Sequence, residues 1–363
     1  MSLILTIARL LDSFEPDRYF VNIDRVAYIT IIPVCSSLCL TTWGSIPANT
    51  QIANQIASNH CPVPTQSKIT ALNNMFTVTK QPQTEPIYVL NDTESQSSLT
   101  VFPDRGGIAT SWRVGDRELL YLDTERFTDP SLSVRGGVPI LFPICGNLPD
   151  NTYKIGDRQY SLKQHGFARE MPWTVSHQST TTDASLTVVL ESNEATRQVY
   201  PFDFTVSFTY RIQGSKLVID QTYTNKSDTP MPFSTGLHPY FLAPAKDRLT
   251  FEIAAASYQE KQTGEVHPFA GEFDFSQAEI DAAFTNVTAN TATATDAGQK
   301  LTLSMTTSAD YHTVVFWTVK GKDFYCLEPW TAPRNSLNTG VDLLHVSPGQ
   351  TLTSNVTFAA NFS

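Results

Sequence analysis

Large apolar side chains fall at every second position in Phe204, Val206, Phe208 and Tyr210, and the same period recurs through most of the chain after residue 76. A two-residue period puts those groups on one face of an extended strand, and that face has to be buried against another layer. Strands are expected on this basis at Ser98–Pro103, Ile108–Val114, Glu118–Leu122, Ser185–Glu191, Phe202–Ile212 and Lys216–Thr224. Further ones follow at Leu249–Ile253, Lys300–Thr306, Tyr311–Thr318, Tyr325–Glu328 and Thr351–Phe358. Gly115-Asp116 and Gln213-Gly214-Ser215 supply turns between neighbours. Helical periodicity is weak: Gln277–Ala283 could make a turn or two, and the Thr/Ala-rich Thr285–Ala297 reads as a loop with a short strand. Many strands without crossover helices imply antiparallel sheets packed face to face, so the class expected is all-β, a large antiparallel β-sandwich over residues 75–363.

Residues 1–74 differ from this pattern. The largely apolar run Val26–Leu40 is broken by Pro33; it is short for a membrane span and has the length of a signal-peptide core, with no clean cleavage site after it. Thr41–Thr70 is polar, contains prolines and keeps no period, as a linker or disordered segment would. Residues 1–74 therefore read as an N-terminal extension that is disordered, serves targeting, or precedes a natural start at Met75. Stable membrane insertion is not expected.

The formal charge of −10 argues against a nucleic-acid surface, which wants a basic footprint. An anionic ligand would have to be met by a few placed arginines. Of five cysteines, Cys35, Cys39 and Cys61 lie in the extension, leaving Cys145 and Cys326 in the body; that is neither a disulfide framework nor a zinc-module spacing. The expected location is the reducing cytoplasm, with export open if residues 1–74 act as a signal. A monomer or weak dimer is expected.

Four stretches carry chemistry. Pro232–Pro244 holds His238 before Pro239, Tyr240 and Phe241, and the proline restricts the backbone on both sides of it. An imidazole can give and take protons near neutrality, though a lone histidine can equally be a core residue bonded to a carbonyl. Ser133–Gly146 places Arg135 before Gly136-Gly137, where the chain can turn and offer a guanidinium to a cleft. Lys163–Trp173 gathers His165, Arg169, Phe167 and Trp173, and its rings could pack on a sugar. In Phe324–Gly340, Glu328 stands at a strand end between Leu327 and Pro329-Trp330, where desolvation would make it a stronger base unless it pairs with Arg334.

Together, Arg135-Gly-Gly-Val-Pro-Ile-Leu-Phe-Pro, Gln164-His-Gly-Phe-Ala-Arg169, His238-Pro-Tyr-Phe241, Glu279-Ile-Asp281 and Cys326-Leu-Glu-Pro-Trp330 resemble the aldose 1-epimerase (galactose mutarotase) superfamily, in a form similar to its hexose-6-phosphate mutarotase branch. The resemblance implies a galactose mutarotase-like supersandwich with the sugar in a cleft on one sheet. It implies Glu328 as the base at the anomeric hydroxyl, His238 as the acid at the ring oxygen, His165 as a hydrogen-bond partner of the sugar and Asp281 as an orienter of ring hydroxyls. It calls for no cofactor and no metal. Arg135 and Arg169 are expected to bind a phosphate, making the substrate a hexose or hexose phosphate. The competing reading is a non-catalytic carbohydrate-binding or sensor module on the same fold. A site of two histidines and a carboxylate holding iron, and a glycosidase pair of Asp281 and Glu328, lack supporting spacing or context.

Overall fold

The computed structural model describes residues 75–82, 85–285 and 287–363, together with the backbone of 28–34 and 37–43. Its contacts fall into two units, Met1–Lys68 and Ile69–Ser363. In the first, Tyr28–Val34 and Ser37–Trp43 form an antiparallel hairpin, Tyr28 opposite Trp43. The apolar run read as a possible signal core thus lies largely in that hairpin; the linker expected beyond Trp43 lies outside the described residues.

The second unit is a stack of antiparallel sheets. An outer eight-stranded sheet runs in the order Thr174–Ser179, Ala184–Glu191, Phe204–Gln213, Lys216–Asn225, Thr351–Phe362, Leu301–Thr307, Thr291–Asp296, Leu249–Ile253. Its central pair stays in register from Phe204 opposite Asn225 to Gln213 opposite Lys216. Phe204, Val206, Phe208, Tyr210 and Ile212 are buried, as the two-residue period requires. A five-stranded meander over Phe76–Gln81, Ile87–Asp92, Ser97–Phe102, Ile108–Val114 and Arg117–Glu118 shares its core, and the Tyr210 hydroxyl donates to the Gly107 carbonyl at 2.7 Å.

A second large sheet carries the site. Its order is Val266–Pro268, Ser257–Glu260, Glu279–Thr285, Thr313–Val319, Phe324–Trp330, Gly236–Leu237, Ile140–Leu141, with Tyr240–Leu242 also paired to Phe324–Trp330. It packs face to face on the outer sheet through Phe251 against Phe316 at 4.9 Å between ring centroids and Phe241 against Phe358 at 5.5 Å. All seven residues of Phe324–Trp330 are buried, because one face meets the core and the other lines the site.

Two expectations change. Gln277–Ala283 is not helical: Glu279–Thr285 is a strand whose Ile280, Ala282 and Phe284 alternate into the core. Its Gln, Ala and Glu content suits a helix, but pairing with Thr313–Val319 overrides that weak preference. Glu118–Leu122 is a strand only over Arg117–Glu118; beyond it, Leu120 and Leu122 make single bridges to Phe241 and Gly136. Among the described residues no helix is long and apolar enough to cross a membrane.

Candidate active site

Strand register assembles the site. Along Phe324–Trp330 the period of two sets Cys326, Glu328 and Trp330 on one face, while Tyr325 turns to the core and meets Phe251. Trp317 lies opposite Cys326, and Asp281 opposite Trp317, so a row of side chains crosses the sheet. On the other flank the pairing is interrupted. Gly236 pairs with Trp330 and Tyr240 with Cys326, which sets His238 opposite Glu328 in the same register. Pro239 has no N–H to continue the ladder. The His238 N–H donates instead to the Pro139 carbonyl at 3.0 Å, and the ring stacks on Tyr240 at 4.8 Å. Its Nε2 lies 3.3 Å from Oε1 of Glu328, whose Oε2 accepts the Trp330 indole N–H at 3.0 Å.

Burial, reinforced by the Asp281 carboxylate, pushes the Glu328 carboxyl well above the usual carboxylate range. Burial, with the nearby Arg169 charge, pushes His238 down to about 3. Both shifts disfavour the charged form, and the two groups lie at hydrogen-bond distance, so a proton can pass between them.

His165 enters from the other side, 5.5 Å from His238 and 5.6 Å from Trp330 between ring centroids. It has a left-handed backbone, φ 66°, held because its N–H donates to the Gly146 carbonyl at 2.7 Å. The Gly146 N–H donates back to Nδ1 at 3.1 Å. Since a backbone N–H only donates, Nδ1 is the acceptor, and the proton of the neutral ring sits on Nε2, which lies 3.2 Å from the Gln164 side-chain amide. Burial and then Arg169 drive the His165 pKa well down, so it is a neutral donor at physiological pH. Gly146 has a second use: a Cβ there would come within 2.3 Å of the Arg334 Cγ that lies across it.

Arg135, His165, Arg169, His238, Asp281 and Glu328, the six residues singled out from the sequence, all line one cleft of about 290 Å³. Gly136 and Gly137, both at positive φ, make the turn expected beside Arg135, whose guanidinium stands over the Trp317 ring. Arg169 does not pair with Glu170, which instead faces Lys163. Arg334 does not pair with Glu328; it donates to Asp281 at 2.7 Å, and Lys261 takes the other Asp281 oxygen at 3.1 Å. Both oxygens of Asp281 are thus held by cations, which sets them beside any hydroxyl Asp281 would orient. Phe167 and Trp173 are not the sugar-facing rings: Phe167 packs on Phe142 and Phe204, and Trp173 on Phe208. Tyr240, Trp317 and Trp330 wall the cleft instead. Arg126, Lys261 and Trp317 also line it and were not found from the sequence, where Arg126 and Lys261 stand in no motif.

His238, Cys326 and Glu328 are the one trio among the described residues whose ligand atoms approach within 4.8 Å of one another. Arg169, Arg334 and Lys261 all bear electrostatically on His238, so the surroundings oppose a cation there.

The profile of the aldose 1-epimerase family matches residues 88–359. The chain is 32% identical over 142 residues to a protein named "Putative glucose-6-phosphate 1-epimerase" from Escherichia coli, an alignment that covers 39% of this chain and 44% of that relative, so the chain spans under half its length there. It is 24% identical to the chromosomal LacX protein of Lactococcus lactis, covering 67% of this chain and 84% of LacX. Among solved structures, the Slr1438 protein of Synechocystis is 43% identical with a TM-score of 0.76, covering 80% of this chain and 100% of that one. A galactose mutarotase-like protein of Clostridium acetobutylicum shares the fold at 19% identity, with a TM-score of 0.69 over 79% of this chain and 99% of its own. With three quarters of its length matched by the profile, the chain belongs to the aldose 1-epimerase family.

Proposed function

We propose that the protein interconverts the α and β anomers of a hexose 6-phosphate, with Glu328 and His238 as its acid–base pair. The observation that carries this reading is the pair itself: two buried groups, opposite each other in register and 3.3 Å apart. Opening a cyclic hemiacetal needs a proton removed from the O1 hydroxyl and another delivered to the ring oxygen. In the form that reacts, Glu328 is the carboxylate and His238 the imidazolium. Glu328 takes the O1 proton as the C1–O5 bond breaks, and His238 protonates O5. The product is the open aldehyde, with the proton count of the pair unchanged. Rotation about C1–C2 presents the other carbonyl face; His238 then takes the O5 proton back as the ring closes, and Glu328 returns one to O1. Nε2–H of His165, fixed by the Gly146 N–H at Nδ1, is a donor suited to the oxygen that becomes the carbonyl.

Phosphate selectivity rests on the arginines. Arg169 is half-buried, donates only to the Gln164 carbonyl at 3.1 Å, and leaves its buried Nε without a partner. Arg135, which lines the same cleft, has no carboxylate within 4 Å among the described residues. Guanidinium groups left unpaired at a cleft are suited to a planar, multi-point grip on phosphate. The name carried by the Escherichia coli relative points the same way. The test is to follow anomerisation of glucose, galactose and their 6-phosphates side by side with purified protein and with Arg169→Ala. Higher kcat/KM on a 6-phosphate is expected, reduced roughly tenfold to a hundredfold in the variant. Equal efficiency on phosphorylated and free sugars would return the protein to the free-aldose class.

A further inference from the structure

Five cations border the cleft, and they are of two kinds. Lys261 and Arg334 are both committed to Asp281. Arg126, Arg135 and Arg169 have no carboxylate within 4 Å among the described residues. Two of these three stand in motifs. The third, Arg126, belongs to a five-residue helix, Thr124–Thr128, capped by the Asp123 carboxylate, which accepts the Arg126 backbone N–H at 3.1 Å.

The segment that carries it is braced. Its neck is closed by the Asp123 N–H donating to the Arg135 carbonyl at 2.9 Å. Arg105 donates to the Asp129 carbonyl at 2.7 Å from outside the segment, and its guanidinium stands over the Phe127 ring. Arg126 Nε donates to the Ser133 carbonyl at 3.2 Å, which leaves its two Nη groups without a hydrogen-bond partner among the described residues. The carboxylates nearby are hydrogen-bonded elsewhere: Asp129 accepts from Ser131, with Arg105 and Arg126 acting on it only at longer range, and Glu279 accepts from Trp317 and Gln262. One closed loop therefore presents a guanidinium from each end, Arg126 and Arg135, to a cleft that Arg169 also lines.

We propose that Arg126 is a specificity-determining residue, a third guanidinium that grips the dianionic substituent of a phosphorylated hexose together with Arg135 and Arg169. This rests on the phosphate reading above. A phosphate monoester carries up to two charges and three terminal oxygens near neutrality, more acceptor capacity than two guanidiniums fill. Arg126 is only half-buried, so its contribution is screened by salt. It is not among the cations that bear on His238 or Glu328, which are Arg169, Arg334 and Lys261, so its effect falls on KM more than on kcat.

The experiment compares the intact protein with Arg126→Ala and Arg126→Lys on glucose 6-phosphate and on glucose, at low and high salt, with inorganic phosphate as a competitive inhibitor. In Arg126→Ala the ratio of kcat/KM for the phosphorylated over the free sugar should fall by about tenfold, mainly through KM. The inhibition constant of inorganic phosphate should rise by a similar factor. Arg126→Lys should recover part of the loss, and high salt should narrow the gap between wild type and variant. A wild-type protein that prefers the phosphorylated sugar while Arg126→Ala keeps the same ratio would overturn this proposal alone. So would an equal loss on both sugars, the mark of a residue that only braces the loop through Ser133. A wild-type protein indifferent to phosphate would overturn this proposal and the phosphate reading together.

Discussion

The two large sheets of the sandwich are built by the same alternation and end in different roles. In the outer sheet, Phe204–Gln213 pairs with Lys216–Asn225 over ten residues without a break, and every inward side chain of the first strand is buried. In the site sheet, the partner of Phe324–Trp330 is cut into Gly236–Leu237 and Tyr240–Leu242, and the cut falls at His238, opposite Glu328. Unbroken pairing gives each residue a neighbour across the ladder and a place in the core. Interruption frees a backbone from its partner strand, and here the freed residue is held by the Pro139 carbonyl and the Tyr240 ring, with its Nε2 aimed at a buried carboxylate. On the proposed reading, stability and chemistry are thus assigned to different sheets.

Substitutions that separate the two roles can break that contrast. Phe208, buried between Trp173 and Tyr223 in the outer sheet, lies away from the cleft. Phe208→Ala is expected to lower unfolding free energy in urea by about 3–5 kcal/mol while the folded protein keeps its kcat. His238→Ala should do the reverse, reducing anomerisation at least about a hundredfold with a much smaller change in the urea midpoint. A large stability loss in the second, or a large kcat loss in the first, would dissolve the distinction.

A subtler effect sharpens it. The reactive pair needs one proton, so activity should fall as pH rises through the elevated Glu328 pKa. Asp281 raises that pKa, while Arg334 and Lys261 lower it. Asp281→Asn removes the first influence and releases the two cations, so the alkaline limb of the kcat/KM profile should move to lower pH. A limb that stays in place or moves up would show that Asp281 does not set the charge state of Glu328. The smallest effect is expected from a chain beginning at Met75, whose anomerisation rate and solubility should match those of the full chain; loss of either would show that the preceding residues support the sandwich.

The outer sheet was nearly legible from alternation alone, since Phe204 to Ile212 obey a strict period of two. The site sheet was less so. Glu279–Thr285 alternates Ile280, Ala282 and Phe284 into the core but carries helix-forming residues that compete with that signal, and Phe324–Trp330 is buried on both faces, which masks its period. Five of the six candidate residues could be picked out because histidines, arginines and Glu328 stood near prolines that restrict the backbone or glycines that permit close approach, whereas Asp281 came from the family resemblance alone. Their partners could not. That Arg334 and Lys261 would meet on Asp281 depends on loops and strands converging from residues 261, 281 and 334. The direction in which Phe167 and Trp173 point was likewise decided by packing on Phe204 and Phe208. Arg126 sits in an ordinary turn of helix, with nothing in its sequence neighbourhood to mark it.

The central claim is that Glu328 and His238 work as a pair sharing one proton, and Glu328→Gln tests it most directly because it keeps the shape and the acceptor for Trp330 while removing the titrating group. The measurement is the rate at which freshly dissolved α-glucose 6-phosphate relaxes to the anomeric mixture, alongside binding of the same sugar phosphate. The account predicts relaxation slowed at least about a hundredfold with binding little changed. Near-normal relaxation in a variant that still binds the sugar would contradict it.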